Sequence, residues 1–183
     1  MNFRFDALKA TQVVGEFLRL AGGEIDVLKL VKLAYLLDRV SLQRRGVPVL
    51  GGSYYSMRNG HVTSELLDLI NAGYLRGSET DWKDYVSDRA ENRLALRQPA
   101  TALRLSDAEH DLIAEVHTQH CQRSGPELAD WCHEHCAEWH PLSQGRREIA
   151  VEDVLEVGGA SPDKIRRLVA FQDELQRLDE ILT

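Results

Sequence analysis

The sequence predicts a mainly α-helical, compact domain around one buried central helix at about 26–45, with a small two- or three-stranded β element. The first observation is the segment 27–40, where nearly every residue is apolar and the polar residues fall on one narrow stripe. A surface helix has a wider polar face, so this helix is expected to be buried on most sides. The second observation is a pair of helix-start signatures, Ser106–Glu109 and Ser124–Glu127, each with the pattern of a capping box.

Length and composition fit a globular protein. The chain has 183 residues, of which 43% are hydrophobic and 28% charged, and these proportions are ordinary for a soluble domain. We expect a single domain over 1–183, with a core at about 5–140 and a C-terminal helical extension at about 148–183. No run approaches the ~20 apolar residues of a membrane span, and the start of the chain has no signal-peptide pattern. With three cysteines, an odd number, these observations predict a cytoplasmic protein with reduced thiols.

The first half of the chain is predicted to contain three helices and several short strands. Asp6 can cap a first helix that ends near Ala21, before two glycines. Asp26 can cap the central helix, and Gly46 fits the left-handed residue that follows a helix. The elements predicted after it are a strand at about 53–57, a helix at about 60–72 that Gly73 ends, and two short strands at 82–86 and 93–96, which could pair as a hairpin joined by the strand at 53–57.

The second half is predicted to be helical. The two capping boxes open helices at about 107–121 and 125–137, which are joined by a tight turn. A short helix is expected at about 149–157, and Ser161–Pro162 begins a last helix that runs to about 182. The residues expected on the inner side of this last helix are Ile165, Leu168, Val169, Leu175, Leu178 and Leu182.

Two blocks of sequence resemble a known family. The first block begins with Leu30–Arg39 (LVKLAYLLDR) and continues with Gly46, Pro48–Val49, Tyr54–Tyr55 and Gly60–His61–Val62. The second is Leu128–Trp139 (LADWCHEHCAEW), in which Cys132–His133 replaces a Thr–His pair. In order and spacing the blocks resemble the Panacea domain, also called the SocA-like antitoxin domain. His61 stands where the family usually has proline, the residue that pre-sets the first turn of a helix.

The resemblance implies a function and a set of motif residues. Panacea-domain proteins are bacterial and phage antitoxins that neutralise the toxin of an adjacent gene by direct protein contact, and SocA-type members are also thought to deliver the toxin to a protease. The resemblance therefore implies an antitoxin whose partners are a cognate toxin and, for the SocA type, a protease. The motif positions, with a structural or partner-binding role, are Lys32, Tyr35, Asp38, Tyr54, Gly60, His133 and Trp139.

Polar motif residues occur on the otherwise apolar central helix. Asp38 would need a partner if buried, and the backbone N–H groups of the 51–54 loop or Lys32 are candidates. Buried polar groups are normally satisfied inside the protein, so an internal polar brace is the interpretation that we favour. A ligand site is the alternative.

The segment 110–140 contains six of the seven histidines and all three cysteines. A mixed zinc site of Cys132, Cys136, His117 and Cys121 is one interpretation of this enrichment. The favoured interpretation assigns no metal, because the spacing of common zinc modules does not recur and free cysteines are often buried as small apolar residues. Cys132 and Cys136 would then belong to the core, and His133 would hydrogen-bond a neighbouring backbone group.

The predicted helix pair at 107–137 raises the question of DNA binding. Between Asp107 and Glu138 the chain has eight acidic residues and one basic residue, Arg123. A helix-turn-helix reader needs a basic footprint, so we expect no binding of nucleic acid. The acidic residues are either a solvated surface, which we favour, or a docking face for a basic partner. The residues of the candidate acidic docking face are Glu127, Asp130 and Glu134.

Motifs of catalysis are missing from the sequence, which has no nucleophile elbow, no phosphate-binding glycine loop and no metalloprotease helix. We therefore expect a protein that is not an enzyme and has no cofactor. The function implied by the resemblance is that of an antitoxin. The alternative is a zinc-stabilised or helix-turn-helix-like regulatory protein.

Overall fold

A computed structural model describes residues 1, 3–58, 60–99 and 104–182, with the backbone alone at 176 and 179–182. This part of the chain has eight helices and two small antiparallel sheets, which confirms the mainly α class. The helices are α1 (Ala7–Leu20), α2 (Val27–Arg45), α3 (Ser64–Ala72), α4 (Trp82–Tyr85), α5 (Asp107–His120), α6 (Gly125–His135), α7 (Val151–Val157) and α8 (Pro162–Leu182). The strands are β1 (Glu24–Asp26), β2 (Tyr54–Met57), β3 (Gly60–Thr63), β4 (Arg93–Ala95) and β5 (Arg146–Ile149).

The first two helices begin and end where the sequence predicts. The side chains of Asp6 and Asp26 each accept a 3.0 Å hydrogen bond from the N–H of the third residue into α1 and α2. Such caps satisfy backbone donors that a helix leaves free at its start. Gly46 ends α2 in the left-handed conformation, with φ of 78°. Local chemistry therefore sets these boundaries.

Helix α2 contacts α1, α5, α6 and α7 as well as β1 and β3. Twelve of its residues are buried, and two of them, Lys32 and Asp38, are of a charged type. A buried charge is costly unless it is paired or hydrogen-bonded. Both side chains therefore need partners from neighbouring elements.

The three-stranded sheet has the order β3-β2-β5 and is antiparallel throughout. Tyr54 lies opposite Thr63 on one side and Ile149 on the other. The helix predicted at about 60–72 is therefore wrong at its start, because Gly60–Thr63 is a strand and α3 begins at Ser64. The physical reason is local: Gly60 has a φ of 94°, outside the helical region, and two β-branched residues follow at 62 and 63.

The hairpin predicted from 82–86 and 93–96 is also wrong in part. Trp82–Tyr85 is a helical turn, closed by the N–H of Val86 on the carbonyl of Trp82 at 2.8 Å. The strand β4 lies within 93–96 as predicted, but it pairs with β1. Only an isolated bridge between Val86 and Leu96 remains of the predicted pairing within the described residues. The strand at 54–57 pairs instead with β3 and β5.

The helices α5 and α6 follow from their capping boxes, both of which are present. Leu128 and Cys132 of α6 are fully buried, and α6 packs against α2. In each box the side chain of the third helical residue, Glu109 or Glu127, accepts from the N–H of the capping serine. The pair of helices predicted from these motifs is confirmed.

The C-terminal helices α7 and α8 are present as predicted, but the inner side of α8 is only partly right. Ile165, Leu168 and Val169 are half-buried, whereas Leu175 and Leu178 are exposed. Contact with the rest of the chain explains the difference, because Leu168 lies against Gly46 at the end of α2. The side chain of Leu182, also predicted to face inward, lies outside the described part of the chain. No helix among the described residues is both long enough and apolar enough to cross a membrane.

Candidate functional site

The carboxylate of Asp38 is fully buried and has four donors. Its Oδ1 accepts hydrogen bonds from the N–H groups of Val49 and Leu50, both at 2.7 Å. Its Oδ2 accepts from the N–H of Gly51 at 3.1 Å and from the hydroxyl of Tyr54 at 2.8 Å. The predicted partnership with loop N–H groups is confirmed, although the loop lies at 49–51 and Lys32 is not a partner. Burial raises the pKa of Asp38 to about 6, and the hydrogen bonds act in the opposite direction.

A second buried acid, Glu138, joins α2 to the segment that follows α6. Its Oε1 accepts from the hydroxyl of Tyr35 at 2.6 Å and from Nε of Arg39 at 2.7 Å. Burial, reinforced by the charge of Glu138, raises the pKa of Tyr35 well above its ordinary value. Tyr35 is therefore a neutral hydrogen-bond donor, and Arg39 neutralises the buried carboxylate.

Lys32 and His61 occupy the space between α2 and β3. The ammonium of Lys32 donates a 2.6 Å hydrogen bond to the backbone carbonyl of His61, and burial lowers its pKa to about 8. The imidazole of His61 stacks on the ring of Tyr35, with centroids 4.3 Å apart. Burial, with the nearby charge of Lys32, lowers the pKa of His61 to about 2, so the ring is neutral. Within the described part of the chain, neither ring nitrogen of His61 has a hydrogen-bond partner.

His133 stacks on Trp139, with centroids 3.9 Å apart and an interplanar angle of 18°. The sequence predicted that His133 would hydrogen-bond a backbone group. Its Nε2 does not do so, because this atom is buried without a partner among the described residues. A Cβ added at Gly60 would lie 2.8 Å from Nζ of Lys32 and 2.9 Å from Nε2 of His133. Glycine is therefore needed at 60 both for this close approach and for the positive φ.

Cys132 and Cys136 are buried, as expected for core residues. One group of possible metal ligands appears among the described residues, and it consists of His61, Cys136 and Glu138, whose ligand atoms all lie within 4.8 Å of one another. Of the zinc ligands that the sequence suggested as an alternative, His117 and Cys121 do not belong to this group and line a cleft beside Lys29. The sequence did not indicate His61, which is remote from the cysteines, or Glu138, which had been assigned to the acidic surface.

Comparison with known proteins identifies the family of this chain. The family model described as the SocA-like antitoxin, Panacea domain, matches residues 30–140, which is more than half of the chain. The chain belongs to the SocA-like Panacea family. No curated protein and no solved structure shows a significant match to the chain.

In this Panacea domain, all seven motif residues are within the matched segment, and most of them meet at one buried cluster. We call it the Glu138 cluster and define it by Lys32, Tyr35, Arg39, His61, Cys132, His133, Cys136, Glu138 and Trp139. Tyr54 belongs to the Asp38 network, next to the cluster, because its ring contacts that of Tyr35 edge-on at 5.9 Å. The motif thus connects α2, the β2–β3 hairpin and the end of α6.

A surface cleft borders the Glu138 cluster. It has a volume of about 290 Å³ and lies between α2, the β2–β3 hairpin and α3. Its lining is largely apolar, and Lys32 and Gly60 belong both to this lining and to the surroundings of the cluster. The buried side chains therefore lie close to a route from solvent.

The acidic surface of α5 and α6 is smaller than the sequence indicates. Glu127, Asp130 and Glu134 are exposed as predicted, although Glu127 is engaged in the capping box. Three of the other five acidic residues are paired with bases, as Glu109 with Lys9, Glu115 with Arg44 and Glu138 with Arg39. Among the described residues, Asp130 and Glu134 of α6 are exposed acids outside the salt bridges and hydrogen bonds, and they disfavour the helix-turn-helix alternative because they would repel phosphates.

An apolar stripe on α8 lies outside the matched segment. Phe171, Leu175 and Leu178 are 57%, 39% and 49% exposed. The spacing of i, i+4 and i+7 places them on one face of the helix. From the sequence we predicted that Leu175 and Leu178 lie on the inner side of this helix. Periodicity shows that residues share a face, but it does not show whether that face is covered.

Proposed function

We propose that this protein is an antitoxin that neutralises a cognate bacterial or phage toxin by direct protein–protein contact in the cytoplasm. The observation that carries the proposal is the family match over residues 30–140, which includes the whole Glu138 cluster. On this proposal the protein acts by forming a complex and is not an enzyme. The Glu138 cluster and the Asp38 network then serve to hold the domain in one shape.

The apolar stripe of α8 supports a protein partner. Isolated exposed apolar residues are normal on a protein surface, but three on one helical face form a patch of the kind that marks interaction sites. An aromatic side chain is enriched at the core of interfaces, and burial of the two leucines beside it would add apolar contact. We propose that Phe171, Leu175 and Leu178 contact the toxin.

Asp130 and Glu134 support a basic partner. A toxin that acts on nucleic acid has a basic surface, because it must bind phosphates. Exposed acids on the antitoxin would then accelerate association and favour one orientation of the two proteins. We propose that these two residues form the edge of the toxin contact.

Delivery of the toxin to a protease, which the family resemblance implies for SocA-type members, is proposed as a second consequence of the same complex. Delivery requires no catalytic site on this chain, because the protease would hydrolyse the toxin. It would appear as a shorter lifetime of the toxin in cells that contain the antitoxin.

The adjacent open reading frame provides the test. We expect its expression alone to arrest bacterial growth, and co-expression of this protein to restore growth. The two proteins should also co-purify as a stoichiometric complex. A matched control has an early stop codon in the antitoxin gene, so that rescue by the RNA is separated from rescue by the protein. A harmless neighbour, or continued arrest without any complex, would contradict the antitoxin role.

A further inference from the structure

We propose that His61, Cys136 and Glu138 form a binding site for a thiophilic divalent cation, with Zn²⁺ as the metal that the ligand set fits best. The three residues come from β3 and from the segment that follows α6, and all three are buried. A nitrogen, a sulfur and a carboxylate oxygen are the ligand types of zinc sites in proteins. The inference is independent of the antitoxin role.

The orphaned imidazole of His61 is the observation that points to a ligand. The residue is 0% exposed, and neither of its ring nitrogens has a hydrogen-bond partner among the described residues. A buried polar group without a partner is destabilising, and such groups are rare in native proteins. A metal ion bound to one ring nitrogen would satisfy the lone pair, because a neutral imidazole is the form that binds metals.

The geometry is close to that of a bound ion. The three ligand atoms lie within 4.8 Å of one another, whereas a tetrahedral zinc ion would hold its ligand atoms about 3.5 Å apart. Binding of the ion would therefore draw the three ligand atoms closer together. Cys132, buried one helical turn before Cys136, does not belong to the group within 4.8 Å, so it would reach the fourth position only by a movement of its side chain.

The partners of Glu138 resemble the outer contacts of a metal ligand. Tyr35 and Arg39 both donate to Oε1 of Glu138 and fix the orientation of the carboxylate. Outer hydrogen bonds of this kind orient ligands in known metal sites and tune their affinity. The contact from Arg39 to Oε2 is longer, at 3.4 Å, so this second oxygen is the freer one for the metal.

The ligand set selects the kind of cation. Lys32 and Arg39 repel every divalent cation alike, but a single carboxylate is too few for a hard cation such as Mg²⁺ or Ca²⁺, which binds through carboxylates and carbonyls. A cysteine that loses its proton as the metal binds supplies a thiolate, which compensates the charge of a soft or borderline cation. A site of this composition should therefore take Zn²⁺, or Co²⁺ in its place, and should not take Mg²⁺.

Metal analysis of the full-length protein tests the proposal. After expression with zinc in the medium and dialysis against metal-free buffer, we expect one zinc per chain by elemental analysis. Replacement by Co²⁺ should give a thiolate-to-cobalt charge-transfer band in the near ultraviolet. Magnesium should not compete. A folded protein that takes up neither zinc nor cobalt, with the cluster serving only as a polar core, would overturn the proposal.

Variants separate this site from adventitious binding. Cys136→Ser and His61→Gln should each lower zinc affinity at least tenfold and remove the cobalt band or reduce it. Cys121→Ser is the matched control, because this thiol is outside the Glu138 cluster, and it should bind zinc like the wild type. Retention of the band at its full wild-type intensity in Cys136→Ser, or its loss in Cys121→Ser, would refute the assignment.

X-ray absorption on the wild-type zinc protein covers the case in which a variant does not fold. The spectrum should show one sulfur ligand, or two where Cys132 fills the fourth position, and nitrogen or oxygen ligands otherwise. A coordination shell of nitrogen and oxygen alone would exclude Cys136 and reject the site, whatever the behaviour of the variants.

Discussion

The hydroxyl of Tyr35 donates a 2.6 Å hydrogen bond to the carboxylate of Glu138, a residue 103 positions further along the chain. Both side chains are buried, and the same oxygen of Glu138 also accepts from Arg39. This hydrogen bond closes a long loop of chain and holds α2 against the segment that follows α6. The pair therefore connects the two sequence blocks of the Panacea motif.

The first prediction concerns this hydrogen bond. Tyr35→Phe should lower the free energy of unfolding by about 2 kcal/mol, because it removes one hydrogen bond to a buried charge. Glu138→Gln should cost more, roughly 3–5 kcal/mol, because it leaves the guanidinium of Arg39 without its counter-charge. Urea unfolding in the presence of a chelator measures both. Equal stability of Tyr35→Phe and the wild type would show that the hydrogen bond makes no net contribution.

The second prediction concerns the buried Asp38. Asp38→Ala removes the acceptor of three backbone N–H groups and of the Tyr54 hydroxyl, and should destabilise the domain by about 3 kcal/mol or more. Asp38→Asn keeps one acceptor oxygen and should be intermediate. Thermal and urea unfolding of the two variants provide the comparison. An Asp38→Ala variant as stable as the wild type would be incompatible with the buried network.

The third prediction follows from the pKa of Asp38. In the folded protein the pKa is about 6, above the ordinary value of 3.8, so the folded state binds a proton at pH values where the unfolded state has lost it. Protonated Asp38 therefore stabilises the folded state fully below about pH 4. This stabilisation is lost as the pH rises towards 6 and does not change further at higher pH. The total change is about 3 kcal/mol.

Unfolding of the wild type and of Asp38→Asn at several pH values tests the third prediction. The asparagine cannot titrate, so the stability difference between the two proteins should shift against the wild type as the pH rises from 4 to 6. A difference that is constant over this interval would mean that the pKa of Asp38 is not raised.

The helices could be predicted from sequence because their signals are local. Asp6, Asp26 and Ser124 cap helices within their own first turn, and Gly46 ends one by its own backbone conformation. The family could also be identified, since its signature is a run of residues in sequence. In contrast, β1 and β5 are three and four residues long and pair with strands about 70 and 90 residues away, so no local pattern marks them.

The Asp38 network and the Glu138 cluster could be predicted only in part. The partners of Asp38 follow from the rule that a buried charge needs donors, and the loop after α2 is the nearest source of them. The proximity of His61 to Cys136 and Glu138 depends on how β3 packs against the end of α6. This packing joins distant parts of the chain, so no short sequence pattern predicts it. The exposed stripe of α8 was missed for a related reason, since periodicity is the same on a covered face and on an uncovered one.

The fourth prediction tests the acidic edge of the proposed toxin contact. Asp130→Lys with Glu134→Lys should slow association with the toxin and weaken its dependence on salt, because the attraction between opposite charges is replaced by repulsion. Glu127 is left unchanged, since its carboxylate completes the capping box of α6. The matched control is Glu79→Lys with Asp84→Lys, which reverses two exposed acids elsewhere. Association kinetics at several salt concentrations provide the measurement, and equal rates for the two double variants would remove this edge from the contact.

The last prediction concerns the stripe on α8. Phe171→Ser with Leu178→Ser should leave the free energy of unfolding within about 0.5 kcal/mol of the wild type, because both side chains are exposed. The same variant should bind the toxin at least tenfold more weakly and should fail to rescue growth, since it removes the apolar area that these two side chains would bury at the interface. Asp173→Ser with Glu174→Ser, two exposed polar positions of the same helix, is the control and should still rescue.

Analytical ultracentrifugation of the free proteins separates toxin binding from self-association through this stripe. A dimer formed through the stripe would dissociate in Phe171→Ser with Leu178→Ser and would persist in the control. Full rescue by Phe171→Ser with Leu178→Ser would exclude α8 from the interface and leave the toxin contact to the Panacea segment itself.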